Sequence, residues 1–205
     1  MGAGKRAAGV GYAGEARYGN SMIRALPHRF GLLFSIFSMV AGVQPVLSGA
    51  LIREVRIGVL AHDVPGLWSG FRLETTAPDL NAEVIFTPSL SFFGGVIRPA
   101  VGGTWNTNGG TSKAYLDARW QFEAQNGVFF GVGIGVAVHD GVRDISSPDH
   151  KALGARALLH FPLEIGYRFD RHHSVSLYFE HFSNGYTNRY NEGIDGLGAR
   201  YGYKF

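Results

Sequence analysis

The sequence predicts an all-β fold, an eight-stranded antiparallel transmembrane β-barrel, and three observations carry that prediction. Apolar residues recur at every second position from Leu51 onward, which places them on one face of a strand. The alternating segments run to about the 9 to 11 residues that a tilted strand needs to cross a bilayer, and short turns join them. Eight such segments are present, over 52–61, 80–87, 96–105, 112–123, 128–138, 153–169, 174–182 and 194–205. An even number lets the sheet close without an edge, which hydrocarbon demands because each unpaired backbone group there costs several kcal/mol.

In the fourth segment Ala114, Leu116, Ala118, Trp120 and Phe122 oppose Asp117, Arg119, Gln121 and Glu123. In the fifth, Val128, Phe130, Val132, Ile134, Val136 and Val138 alternate with Phe129, Gly131, Gly133, Gly135, Ala137 and His139. The sixth extends an outward column from Leu153 to Phe169 against a set that contains Arg156, His160, Glu164 and Arg168. The seventh turns Val175, Leu177 and Phe179 to lipid, and the eighth turns Leu197, Ala199, Tyr201, Tyr203 and Phe205 the same way. Asn108-Gly109-Gly110 and Asn126-Gly127 read as tight turns between strands. Alternation alone also suits a soluble sandwich; strand length and turn pattern favour the barrel.

An eight-stranded lumen is wide enough only for side chains. Glu164, Arg168, Glu180 and Arg200 have lumen parity and are expected to form an internal charge network, with Gly131, Gly133 and Gly135 as spacers rather than a phosphate loop. His62-Asp63 and His139-Asp140 fall at strand ends and read as solvated loop residues. His172-His173 sits in a turn without accompanying carboxylates, so no metal site is expected there.

Composition narrows the function classes. The 205 residues are 45% hydrophobic and 17% charged, with 30 glycines, 15 phenylalanines and a formal net charge of +3. Lys and Arg are scattered, with no basic stripe to track a nucleic-acid backbone, so no nucleic-acid partner is expected. The absence of cysteine excludes disulfides and thiolate metal sites. Residues 1–50 read as a signal-peptide region. Arg24, His28 and Arg29 precede an apolar run over 30–43, too short to span a membrane as a helix, and Ser48-Gly49-Ala50 suits a signal peptidase. Met22 is the expected start, and the barrel over 51–205 the mature chain.

Three polar residues lie on the lipid-facing parity. Continuing the outward column of the seventh segment reaches His181 and Ser183, and carrying the eighth backwards reaches Asp195. The seventh strand of eight rises outward and the eighth descends, so the three cluster at the outer-leaflet rim. A serine, a base and a carboxylate to orient the base compose a nucleophilic esterase site. Asn184 is a candidate oxyanion donor, with backbone N–H groups around Gly185. Polar residues and Ser-Asn-Gly turns are also common where strands leave a membrane, and that reading predicts replaceable side chains.

His181-Phe182-Ser183-Asn184, followed by Asn191-Glu192-Gly193-Ile194-Asp195 and a last strand ending Tyr201-Gly202-Tyr203-Lys204-Phe205, resembles the C-terminal signature of PagL-type lipid A 3-O-deacylases. The terminal Phe205 also resembles the assembly signal of bacterial outer-membrane barrels. The resemblance implies an eight-stranded outer-membrane enzyme that hydrolyses the 3-position ester of lipid A, with His181 as base and Ser183 as nucleophile. That family carries Glu where this chain has Asp195, a methylene shorter. Either the backbone approaches more closely, or Glu192 substitutes, or the triad is weaker; parity favours Asp195.

The resulting expectation is a serine esterase acting on lipopolysaccharide among outer-membrane lipids, without cofactor or metal. Its rivals are a structural or adhesion barrel and an outer-membrane phospholipase. The sequence leaves open whether the barrel pairs as a homodimer.

Overall fold

The computed structural model describes residues 51–70 and 72–205; the signal-peptide region expected over 1–50, with its start at Met22, lies outside them. The strands are β1 Ile52–Ala61, β2 Pro78–Phe86, β3 Leu90–Phe92, β4 Gly95–Asn106, β5 Lys113–Glu123, β6 Val128–His139, β7 Ala157–Arg168, β8 His173–Ser183 and β9 Ile194–Lys204. They follow the sheet order β2-β1-β9-β8-β7-β6-β5-β4-β3, and β2 also pairs with β4, which closes the sheet. Short β3 is the far end of the second stave. Ile85 faces Ala100 across β4 while Leu90 faces Ile97, so the chain slips register at Thr87-Pro88-Ser89 and resumes the same pairing. The result is a closed antiparallel barrel of eight staves.

The outward face is a belt of apolar side chains. Ile57, Val59, Leu116, Ile134, Val136, Val138, Ile165, Val175 and Leu177 are all exposed, on strands from both halves of the barrel. A continuous apolar belt is unsuited to water and matches the hydrocarbon-facing band of a membrane barrel. Loops 62–77, 140–156 and 184–193 are long and lie at one end, whereas 124–127 and 169–172 are tight turns at the other. Long loops mark the outer end. The loop over 62–77 is called L1, 140–156 L3 and 184–193 L4.

The middle of the lumen holds the charge network. Glu164 accepts hydrogen bonds from Arg56, from Arg119 (2.9 Å), from Arg200 (2.7 Å) and from the Ser176 hydroxyl (2.6 Å). Arg200 also reaches Glu83 at 3.2 Å, and Arg168 reaches Glu54 at 3.1 Å. Gly133 and Gly135 leave space for the Arg119 and Asp117 side chains. Removing the shared anion leaves three buried guanidinium groups without their common partner, a change worth about 3–5 kcal/mol. Glu164→Ala is therefore expected to lower the urea midpoint of the detergent-folded barrel sharply, and an unchanged midpoint would show the network to be energetically idle.

At the outer end the lumen is filled differently. Tyr115, Ala137, Leu153, Leu158, Phe182 and Ile194 form a buried apolar plug, and His160 stacks on Phe182 with ring centroids 4.2 Å apart. Leu153 reaches this plug from L3, so the strand expected from residue 153 begins only at Ala157. Gly154 at φ +76 breaks the extended path, and Leu153 N–H bonds to Val142 O at 3.1 Å instead of to a strand neighbour. The same folding-in of loops corrects the reading of His62-Asp63 as solvated: they are 3% and 0% exposed. His139 is buried as well, and only Asp140 remains at the surface.

Candidate active site

The register of β8 and β9 brings the polar residues together. His181 stands directly opposite Asp195, and on β7 its neighbour is Phe161 while Ser183 faces Leu159. Directly opposed residues on one face have Cβ atoms about 4.5–5.5 Å apart, which an imidazole and a carboxylate span. His181 Nδ1 lies 2.6 Å from Asp195 Oδ1. Ser183, two residues along the same face, lies one strand repeat of about 6–7 Å away at Cβ. Its hydroxyl makes no hydrogen bond among the described residues.

These outward-pointing residues are covered. His181 and Ser183 are each 9% exposed and Asp195 is 0% exposed, although the parity faces lipid. L1 supplies the cover. Trp68 sets its indole edge-on to His181 at 4.9 Å between centroids, and also meets Phe179 at 5.6 Å and Phe161 at 6.4 Å. Ser69 N–H donates to Asp195 Oδ2 at 2.7 Å, so both carboxylate oxygens are engaged. Gly193 passes close beneath the imidazole with φ +66; a Cβ there would sit 3.2 Å from His181 Cε1. Trp68 and Ser69 were invisible to periodicity, because a loop contact across the outside of a barrel leaves no spacing pattern in the chain.

The other sequence-predicted residues take different parts. Asn184 is the departure: its Nδ2 donates to Leu153 O at 2.8 Å and Tyr190 O at 2.5 Å, and its N–H donates to Asn191 Oδ1 at 2.7 Å. One of these bonds ties L4 to Leu153 of L3 and the other two close L4 on itself, so the donors satisfy loop acceptors rather than standing free for an oxyanion. Asn191, missed as a site residue, is thereby held beside Ser183 with its Nδ2 free of any hydrogen bond among the described residues. Gly185 is exposed at φ +62 just past Ser183. Glu192 lies elsewhere: Oε1 pairs with Arg72 at 2.6 Å and Oε2 accepts Ala152 N–H at 2.5 Å.

L1 is anchored at its base by a buried polar cluster. His62 Nε2 meets Glu74 Oε2 at 2.9 Å, and His62 Nδ1 meets Asp79 Oδ2 at 2.8 Å. Burial alone would raise the Glu74 carboxyl, but hydrogen bonds from His62, Thr111 and His150 outweigh it and hold the group at about 2. Burial alone would lower His62, but its two carboxylate partners outweigh that and raise it above 6.5. A histidine raised on folding contributes stability that is fully present below 6.5 and is lost as pH rises through the higher folded value. Hydrogen-exchange protection of L1 amides is therefore expected to fall as pH climbs through that window, and to become pH-independent in His62→Gln. A fall that persists in His62→Gln would place the titration elsewhere.

Among curated proteins none matches the sequence. The family model described as lipid A 3-O-deacylase (PagL) matches residues 66–204. Among solved structures, the outer membrane enzyme PagL is 21% identical with a TM-score of 0.57, covering 74% of this chain and 99% of that one. A de novo designed transmembrane β-barrel is 10% identical with a TM-score of 0.48, covering 77% and 98%. The N-terminal β-barrel domain of Pseudomonas aeruginosa OprF is 13% identical with a TM-score of 0.47, covering 75% and 98%. With the match running from L1 through the last strand and taking in every residue of the His181–Asp195 site, the chain belongs to the lipid A 3-O-deacylase (PagL) family.

Proposed function

We propose that this chain is a lipid A 3-O-deacylase of the outer membrane, a serine esterase that removes an ester-linked acyl chain from lipopolysaccharide in the outer leaflet. The observation that carries the reading is the His181–Asp195 hydrogen bond of 2.6 Å on the wall parity reserved for lipid, with Ser183 next on the same face. No packing role calls for a histidine and a buried carboxylate there, whereas an esterase whose substrate's acyl chains lie beside the barrel needs its base on that wall.

Asp195 Oδ1 accepts the Nδ1–H of His181, which leaves Nε2 unprotonated for Ser183. Ser183 Oγ attacks the ester carbonyl carbon while Nε2 takes its proton. The tetrahedral intermediate collapses, the sugar alkoxide leaves with that proton, and an acyl-enzyme remains. Water, deprotonated by the same nitrogen, then attacks the acyl carbonyl and releases the fatty acid and free Ser183. In this reading Gly185 N–H and the unbonded Asn191 Nδ2 are the candidate oxyanion donors, and Asn184, whose own donors are engaged, braces the loop that carries them.

Mass spectrometry of lipid A incubated with the purified barrel tests the reading. The expected product is lipid A lighter by one 3-position hydroxyacyl group, with the free acid released. Unchanged lipid A together with hydrolysed glycerophospholipid would assign the same site to a phospholipase.

A further inference from the structure

Beneath L1 lies an ion pair that the reaction does not use. Lys151 of L3 is 1% exposed and Asp63 of L1 is 0% exposed, and Lys151 Nζ meets Asp63 Oδ1 at 2.8 Å. Burial raises the Asp63 carboxyl more than the pull of Lys151 lowers it, so the pair is held at a net cost to the carboxylate. Replacing such a pair with neutral groups of similar volume is often neutral or stabilising, so its presence is not accounted for by stability. Asp63 Oδ2 accepts Glu74 N–H at 2.8 Å, which closes L1 upon itself.

The remaining contact of Lys151 points to its role. Its Nζ also donates to Ser69 O at 3.2 Å, and the N–H of that same residue donates to Asp195 Oδ2 at 2.7 Å. The chain of contacts therefore runs from Lys151 through the backbone of Ser69 to Asp195, and from Asp195 to His181 Nδ1. An ammonium on one side of Ser69 and a carboxylate on the other fix this residue in place and aim its N–H at the acid. Asp195 reaches the imidazole from a short side chain that leaves little slack, so its rotamer depends on the second oxygen being held.

Resting on the esterase reading above, we infer that Lys151, paired with Asp63, is a positioning residue: it holds the Ser69 backbone so that the Ser69 N–H orients Asp195 toward His181. Lys151 touches neither substrate nor reacting atoms. Its loss acts on the rate of acylation and not on lipid binding, because the lipid-facing surface is unchanged.

The test measures kcat and KM on lipid A for purified Lys151→Met and for the double variant Asp63→Asn/Lys151→Met, with wild type and Ser183→Ala alongside. Lys151→Met leaves Asp63 buried and unpaired, so it is expected to lose stability as well as rate. The double variant removes both charges and is expected to fold with the wild-type heat-modifiable shift. Its kcat should still be down by roughly 10- to 100-fold, with KM within about twofold, since misplacement by around 1 Å at a remote support has effects of that size. A double variant with wild-type kcat, or one that fails to fold, overturns the inference by showing the pair to be structural only. Full activity in Ser183→Ala would instead overturn the esterase reading.

Discussion

Ser183→Ala is expected to abolish deacylation, with kcat down by at least about 10⁴-fold, while the barrel remains folded. The Ser183 hydroxyl has no hydrogen-bond partner among the described residues, so its removal leaves no orphaned group and little stability is lost. His181→Ala is expected to be equally inactive, and the structure adds a penalty that parity did not foresee. Asp195 is fully buried, so deleting the imidazole leaves a carboxylate with only the Ser69 N–H as partner. That costs up to about 3–5 kcal/mol. His181→Gln, which keeps a donor in reach of Asp195, separates the two effects: it should recover much of the lost stability and none of the activity. Mass spectrometry of lipid A with each purified variant gives the rate, and urea unfolding in detergent gives the stability. Wild-type rates in Ser183→Ala would leave the structural-barrel reading in its place.

The second large effect is expected at Asp195. From sequence alone an asparagine there looks milder than loss of the serine, since an amide can still orient the ring. The contact from L1 changes that expectation. Ser69 N–H requires an acceptor, so it selects the amide oxygen and turns the Asn NH₂ toward His181 Nδ1. Nδ1 must then accept, the proton moves to Nε2, and the base cannot take the Ser183 proton. Inversion of the tautomer is worth roughly 10⁴-fold in kcat, and Asp195→Asn should fall by about that much. Asp195→Glu keeps the acceptor pair but adds a methylene to a fully buried site, so measurable activity survives at a reduced rate. Glu192→Gln should be nearly neutral in kcat, because the Glu192 carboxylate is engaged by Arg72 and Ala152 rather than by His181. Loss of activity confined to Glu192→Gln would make Glu192 the acid.

Much of this molecule was legible in its chain. Strand positions followed from alternation because a bilayer outside and a narrow polar lumen inside place opposite demands on successive residues. The same rule exposed His181, Ser183 and Asp195, since a polar residue on lipid parity violates it. It failed where the environment changes. Leu153 carried outward parity yet turns inward, because L3 leaves the wall at Gly154 and fills the outer end of the lumen. His62 and Asp63 looked solvated at a strand end, but L1 folds back over them. Lys151, a lone lysine in a loop of small and polar residues, gave no sign of being buried.

The division has a single physical basis. Sequence by itself determined the closed barrel, its lumen network and the shared outward parity of His181, Ser183 and Asp195 on β8 and β9, because strand periodicity and register are local properties repeated along the chain. Only the tertiary structure decided what covers that site: Trp68 against the imidazole, Ser69 N–H on the second oxygen of Asp195, Asn191 beside Ser183, and Lys151 behind Ser69. Apart from the Asn191 contact, which is local to L4, they join segments separated by scores of residues. Their positions are set by which buried polar group finds a partner, and no periodic constraint records that choice in the chain.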